Sequence, residues 1–366
     1  MPKPFIMAVL NEARWHKKTS FAVNAPLLDI DLLGINLDGP SVDWIVDEAR
    51  YDKVFSETQT KLGDPQLVRE IPSYSDLKEA FQSSLLVPPT NLDELTKEMR
   101  GMEERRNHPS RYPRQMCLAL DTNIAYKRLF SRLTIGSEGC GIRDYDPTRI
   151  QLLIPDLVER EVSEKVNRKY RQPEIELFKK AFKNPKLASN LMNCCYKEGR
   201  KALNAQAELG ALRELYATWE VTGGVWTEDK ERRDGEILRT LAKHSQVENM
   251  DMLFISADDK ATAAARAAKV PIMVIRYPYD MPRMVAYDPW LFVELLFDLS
   301  ILYTVVNLKG VGVRIHGEWG GKTAEDYRAE RVKVVSEESS PIIEALARDH
   351  RVMQRLEKEL DLKNIR

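Results

Sequence analysis

The chain is short of cysteine, of net charge and of uninterrupted apolar sequence. Four cysteines occur in 366 residues, Cys117, Cys140, Cys194 and Cys195, none in a CxxC pair and none at zinc-ligand spacing from a histidine. That excludes a structural zinc finger and a disulfide framework, leaves buried free thiols as the plain reading, and fits a reducing cytoplasm. The formal net charge is −1, so no global basic field marks a nucleic-acid binder, although an acidic centre cancels a basic surface in such a total. The amino terminus, MPKPFIMAVLNEARWHKK, has no long apolar core before a small-residue cleavage site and predicts no signal peptide. The nearest approach to a membrane span is Trp290 to Leu308, WLFVELLFDLSILYTVVNL, but it carries Glu294 and Asp298. Acids are costly at a bilayer centre, and these two, four residues apart, share one helix face. No membrane association is expected; a helix buried inside the chain, or one at the contact of a homodimer, accounts for the pattern.

What is present is an ordinary globular composition, 43% hydrophobic and 30% charged, in a chain long enough for two or three domains of ~100–200 residues. Residues 1–112 mix the apolar run LLDIDLLGINL with helical patterns in SVDWIVDEARYDKVF and YSDLKEAFQSSLL, and carry no chemical motif. Thr96 to Arg114 is charged and ends in NHPSRYPR, whose prolines predict a linker. From Met116 strands and helices alternate. MCLALD, IQLLIP, MLFIS and PIMVI read as buried strands. Helices are expected over Ile124–Leu133, Leu157–Tyr170, a long stretch at about 174–221 broken near Pro185, Lys230–His244, and the alanine-rich DKATAAARAAK. Such alternation predicts a parallel α/β sheet, with its active site at the carboxyl ends of the strands. After Pro278 come the apolar helix, two strand-like segments (VGVRIHGEW and YRAERVKVV) and a charged helix from Pro341 to Leu362. No internal repeat or low-complexity tract is visible.

Four acids stand where this sheet would gather them. Asp121 ends the first strand and opens Asp-Thr-Asn; Glu161 is early in the helix after the second strand; Asp234 is in the first turns of the helix before the third strand; Asp258 follows that strand. Each has a local explanation of its own, as an N-cap, a capping box or a first-turn acid. Asp234 stands apart, because it precedes Ile237 and Leu238 by three and four residues and so lies on a buried face. Asp259 reads as a solvated helix-start acid. Converging carboxylates repel unless a cation joins them. Hard divalent ions take such oxygens, and pairs of them about 3.5–4 Å apart hydrolyse phosphodiesters.

The order strand-Asp-Thr-Asn, Pro-x-x-Val-x-x-Glu, Asp-x-x-Ile-Leu, then Ser-x-Asp with a helix and Val-Pro-Ile, resembles the PIN domain family over roughly Met116 to Ile275. The segment FISADDKATAAARAAKVPIMVI carries the resemblance most specifically. It implies a PIN-like α/β core at 115–278 with a helical insertion at about 174–221, flanked by an N-terminal mixed domain (1–112) and a C-terminal α+β extension (279–366). It also implies a metal-dependent endoribonuclease in which Asp121, Glu161, Asp234 and Asp258 bind Mg²⁺ or Mn²⁺. Thr122 and Asn123 would orient that set, and Ser256 and Asp259 would support it. Spacing alone does not choose between Glu159 and Glu161, which lie at similar angles from the Val158/Val162/Val166 stripe; the resemblance selects Glu161. The long insertion and both flanks depart from the compact family pattern, which suits a processing nuclease better than a short toxin.

The nucleic-acid partner, expected to be RNA, would meet Lys165, Arg168 and Lys169 after Glu161, with Arg171 just beyond, and Arg232 and Arg233 beside Asp234. Lys179, Lys180, Lys183 and Lys186 stud the insertion; Tyr170 and Tyr196 read as core residues. Two rivals remain: a PIN-like scaffold that binds RNA or protein without cutting, and a phosphatase of the haloacid dehalogenase type. The second normally has an Asp two residues after the first, where this chain has Asn123.

Overall fold

The computed structural model describes residues 1–106, 115–134, 146–166, 168–336, 341–349 and 351–352. In chain order its strands are β1 (Ser20–Ala25), β2 (Ile30–Asn36), β3 (Ser41–Ile45), β4 (Gln115–Leu120), β5 (Gln151–Pro155), β6 (Thr218–Val221), β7 (Met250–Ser256), β8 (Ile272–Val274), β9 (Val285–Ala286), β10 (Val305–Leu308), β11 (Val313–His316) and β12 (Lys333–Ser336). They form two sheets. One is a five-stranded sheet in the order β6-β5-β4-β7-β8, parallel throughout. The other is a seven-stranded sheet in the order β12-β11-β10-β1-β2-β3-β9, antiparallel throughout.

The parallel sheet explains the unbroken apolar run of β4. Successive side chains point to opposite faces, and here both faces are covered. Cys117 and Ala119 enter a cluster with Ile237, Leu238 and Leu241 of the Lys230–Val247 helix and with Ala261 and Ala265 of the Ala261–Ala268 helix. Leu118 and Leu120 enter the main core on the other side. The Lys197–Leu215 helix covers part of that side, with Ala202, Ala205 and Leu209 against Ile154 and Val162.

Strand order fixes where a ligand would sit. The chain builds outward from β4 to β5 and β6, then crosses back and builds the other way through β7 and β8. The reversal leaves a switch point between β4 and β7, and in open α/β sheets the crevice at such a point takes ligands. The register brings the two strand ends level: Leu120 pairs with Ile255, and the N–H of Asp121 donates to the Ile255 carbonyl at 3.0 Å.

Several expectations need correction. The flanks expected as separate units at 1–112 and 279–366 share one sheet, because β1 is hydrogen-bonded to β10 on one side and to β2 on the other. The expected insertion at 174–221 is helical through most of its length but ends in a strand. It holds helices Gln172–Ala181, Pro185–Ser189 and Lys197–Leu215, and its last four residues are β6, an edge of the parallel sheet. SVDWI is β3 rather than helix, the helix beginning only at Glu48. The expected linker at 96–114 is helical as far as Arg106, and 107–114 lie outside the described residues. The expected helix at 124–133 breaks at Arg128, whose φ is +52°.

The apolar Trp290–Leu308 segment is a Pro289–Leu302 helix followed by β10. No helix among the described residues is long and apolar enough to cross a membrane. Residues 291–302 are all buried by this chain itself, against helices Phe5–Trp15 and Tyr74–Ser83 among others. The helix's two acids explain the polar face. Glu294 pairs with Lys3 and Arg132; Asp298 accepts from Ser83 Oγ at 2.6 Å and from Arg128 Nη1 at 3.3 Å.

Candidate functional site

Asp121 follows β4 and caps the Thr122–Lys127 helix, its Oδ1 accepting from the Thr122 N–H at 2.7 Å. Its Oδ2 accepts from Asn123 Nδ2 at 2.7 Å and from Ser256 Oγ at 2.6 Å. Asn123 also binds the opposite loop, its Oδ1 accepting from the Ala257 N–H at 2.7 Å. Ser256, fully buried, accepts from the Asp258 N–H at 3.0 Å. A three-residue polar knot of Asp121, Asn123 and Ser256 therefore ties the end of β4 to the end of β7.

Glu161 reaches the same place from the Asp156–Glu164 helix. It is buried, and its Oε2 accepts from Thr122 Oγ1 at 2.8 Å. Glu159, on the same helix, is turned away and paired with Arg213. Of the two acids, Glu161 is the one joined to Asp121 through a single residue, Thr122.

Asp234 completes the group from the Lys230–Val247 helix. Burial, aided by the charges of Asp121 and Glu161 and opposed by Lys230 and Arg233, pushes its carboxyl up to about 6. Burial also raises the Asp121 carboxyl, opposed by its hydrogen bonds from Ser256 and the Thr122 amide and reinforced by the Glu161 charge. Asp121, Glu161 and Asp234 therefore lie close enough to feel one another's charge. The Asp258 side chain stays within its own turn, its Oδ1 accepting from the Lys260 N–H at 2.9 Å as a helix-start cap, and no hydrogen bond among the described residues joins it to the other three acids. Asp259 is exposed.

Arg233 overturns its expected role. Instead of facing a nucleic acid it is buried, with Nη2 donating to Glu161 Oε1 at 3.1 Å and Nη1 to the Thr227 carbonyl at 3.2 Å. Its guanidinium lies 4.7 Å from the centroid of the Trp226 ring. The physical reason is the carboxylate beside it, since a buried Glu161 without a cation would be costly. Arg232 is exposed, 3.5 Å from Asp229.

Lys165, Arg168 and Lys169 are exposed and line one open cleft of ≈ 990 Å³. Arg171 and, from the N-terminal segment, Arg69 line it too. Tyr170 and Tyr196 are core residues as expected, stacked at 4.5 Å. Cys117, Cys194 and Cys195 are buried free thiols; Cys140 lies outside the described residues. Sequence reading missed the inward role of Arg233 and the contribution of Arg69. Helical spacing carried the first signal, since Arg233 is four residues before Ile237; nothing local carried the second.

Among the described residues no three His, Cys, Asp or Glu side chains stand at the separation a bound ion needs. The chemistry of the donor set nevertheless suits a hard cation: it is all oxygen, and Asp234 has no hydrogen-bond donor among the described residues. Glu161 has one oxygen already committed to Arg233.

No family model matches the chain. No curated protein matches it. One solved structure is similar, described as a domain of a functionally unknown protein from Methanocaldococcus jannaschii DSM 2661, over 46% of this chain and 96% of that one, at 12% identity and a TM-score of 0.30. A likeness at that level carries neither fold nor activity across.

Proposed function

We propose that the chain is a metal-dependent nuclease with a PIN-like core, cutting phosphodiester bonds within RNA. The observation that carries this reading is the knot at the switch point. Asp121 is held by Asn123 and Ser256, and Thr122 links it to Glu161 at 2.8 Å, all at the carboxyl ends of β4 and β7. Asp234 supports the reading, since the charges of Asp121 and Glu161 help to raise its carboxyl. Asp121, Glu161, Asp234 and Asp258 would hold Mg²⁺ or Mn²⁺. When bound, such an ion supplies an activated water and stabilises the departing oxygen.

The chain's own residues do the positioning. Asn123 and Ser256 fix both rotamer and hydrogen bonding of Asp121, leaving it acceptor-only when ionised. Thr122 aims Glu161 at the same space. Glu161 is buried and Asp121 and Asp234 are half-buried, and partial burial strengthens the charge interactions among them. The choice of RNA over DNA rests on the resemblance to the PIN family.

The second reading, a PIN-like scaffold that binds without cutting, is favoured by Arg233. A guanidinium on Glu161 already supplies a cation to the pocket. Incubation of the protein and its Asp121→Asn variant with single- and double-stranded RNA and DNA in Mn²⁺ separates the two. The nuclease reading expects Mn²⁺-dependent cleavage that the variant loses. No cleavage of any substrate by the wild type would leave the scaffold.

A further inference from the structure

Beside the acidic pocket lies a cleft whose cations are unspent. Arg69, Lys165, Arg168, Lys169 and Arg171 are all exposed and line it together. None of the five is paired with a carboxylate among the described residues. The acids of the cleft, by contrast, are largely committed elsewhere. Glu70 accepts from the Tyr170 hydroxyl at 2.6 Å and the Lys197 N–H at 2.5 Å. Glu174 accepts from the Arg171 N–H at 2.7 Å and from the Tyr196 hydroxyl. Glu164 stands 3.7 Å from Arg160. Glu198 has neither a hydrogen bond nor an ion pair among the described residues, and Glu70 and Glu174 keep their charge because their donors are neutral. The five cations outnumber the four carboxylates of the lining by one, in a protein whose net charge is −1, and it is the cations whose charged heads are left without a carboxylate.

We propose that this cleft binds the sugar-phosphate backbone of a single-stranded nucleic acid, with the N-terminal segment supplying one wall through Arg69. It deepens the nuclease reading by giving the substrate a path, and it stands on geometry separate from the acids. Three features favour such a strand. Unpaired cations spaced along a groove are what a phosphate chain neutralises, with release of its counterions. The Arg168 guanidinium lies 4.4 Å from the Tyr196 ring centroid, and Tyr196 in turn stacks on Tyr170 at 4.5 Å. That pile ends in an exposed planar cation on which a base can stack. The cleft also leads to the pocket: Lys165 follows the helix that carries Glu161, and its Nζ lies 5.3 Å from the ring of Tyr126, on the helix that Asp121 caps.

The test is fluorescence anisotropy of the full chain with a labelled oligouridylate in EDTA, where binding is read without cleavage. The wild type should bind with an affinity that falls as salt rises. The Arg69→Ala/Arg171→Ala and Lys165→Ala/Lys169→Ala variants should each lose about tenfold in affinity, with the log–log salt slope shallower by about 0.7 for every phosphate contact removed. All four side chains are exposed, so unchanged melting temperatures are expected. Lys243→Ala/Arg266→Ala, two exposed cations outside the cleft, should bind as the wild type does. Asp121→Asn should also bind normally; binding that depends on the cleft without cleavage in Mn²⁺ would sink the nuclease reading alone. No binding by the wild type, cleft variants that bind as tightly as the wild type, or tighter binding of duplex RNA would overturn the cleft proposal.

Discussion

Thr122 donates its hydroxyl to Glu161 across 2.8 Å, joining two residues 39 positions apart in the chain. Because Thr122 also gives its backbone N–H to Asp121, one residue sets the positions of two acids. Substituting Glu161 with Gln should therefore abolish Mn²⁺-dependent cleavage, whereas Glu159→Gln, which touches only the Arg213 pair, should keep it within about twofold. Rates of a single RNA substrate with the two variants check this. Equal losses would mean that the helix presents the wrong acid.

Arg233 and a divalent ion are rival cations for Glu161. Arg233→Met should leave a buried carboxylate unpaired and destabilise the metal-free protein by about 3–5 kcal/mol. Mn²⁺ should then raise the melting temperature of the variant more than that of the wild type, since binding to the folded state alone stabilises it. Thermal melts with and without Mn²⁺ measure both; an ion that leaves the variant unmoved would favour the scaffold reading.

The charges under the apolar helix join the parallel sheet's helices to the N-terminal segment. Arg132 is 1% exposed and meets Glu294 directly, with Asp298 at 3.7 Å. Arg132→Met should cost about 3–5 kcal/mol in urea denaturation. Adding Glu294→Leu should cost less than that change does alone, because its contact with Arg132 is already gone and only the Lys3 pair remains to be lost. Additive losses would mean that the pair is not the unit of stability.

His316, at the end of β11, is held neutral. Burial, aided by Lys333 and Arg314, lowers its imidazolium to about 4. The unfolded chain binds this proton near pH 6.5 and the folded chain only near 4, so between those values the unfolded state carries more protons. Stability should be unaffected by this group above about pH 6.5 and fall as pH drops toward 4. In a series of urea midpoints His316→Gln should flatten that part of the profile. An unchanged slope would assign the acid sensitivity elsewhere.

Four strands of the parallel sheet were legible because each is a short, nearly continuous apolar run, as strands buried on both faces must be. The fifth, β6, was not. Its four residues include Thr218 and Glu220 and follow a 19-residue helix, so periodicity merges them with that helix. The antiparallel sheet was hidden for a different reason. The β1–β10 pairing joins residues such as Val23 and Leu308, and a period-2 pattern states which face a strand buries but not which strand lies beside it. At the site, Asp121, Asn123 and Ser256 could be named from their place after strands. The direction of Arg233 was open to reading from its place four residues before Ile237, whereas the partners of Glu161 and Glu159 depend on how helices dock, which spacing alone leaves open.

The most direct test is calorimetric titration of the metal-free protein with Mn²⁺, beside its Asp121→Asn and Asp234→Asn variants. The account predicts saturable binding by the wild type and a loss of tenfold or more in affinity for each variant. A wild type that takes up no Mn²⁺, or variants that bind it as tightly, would contradict the claim that these acids form one cation site.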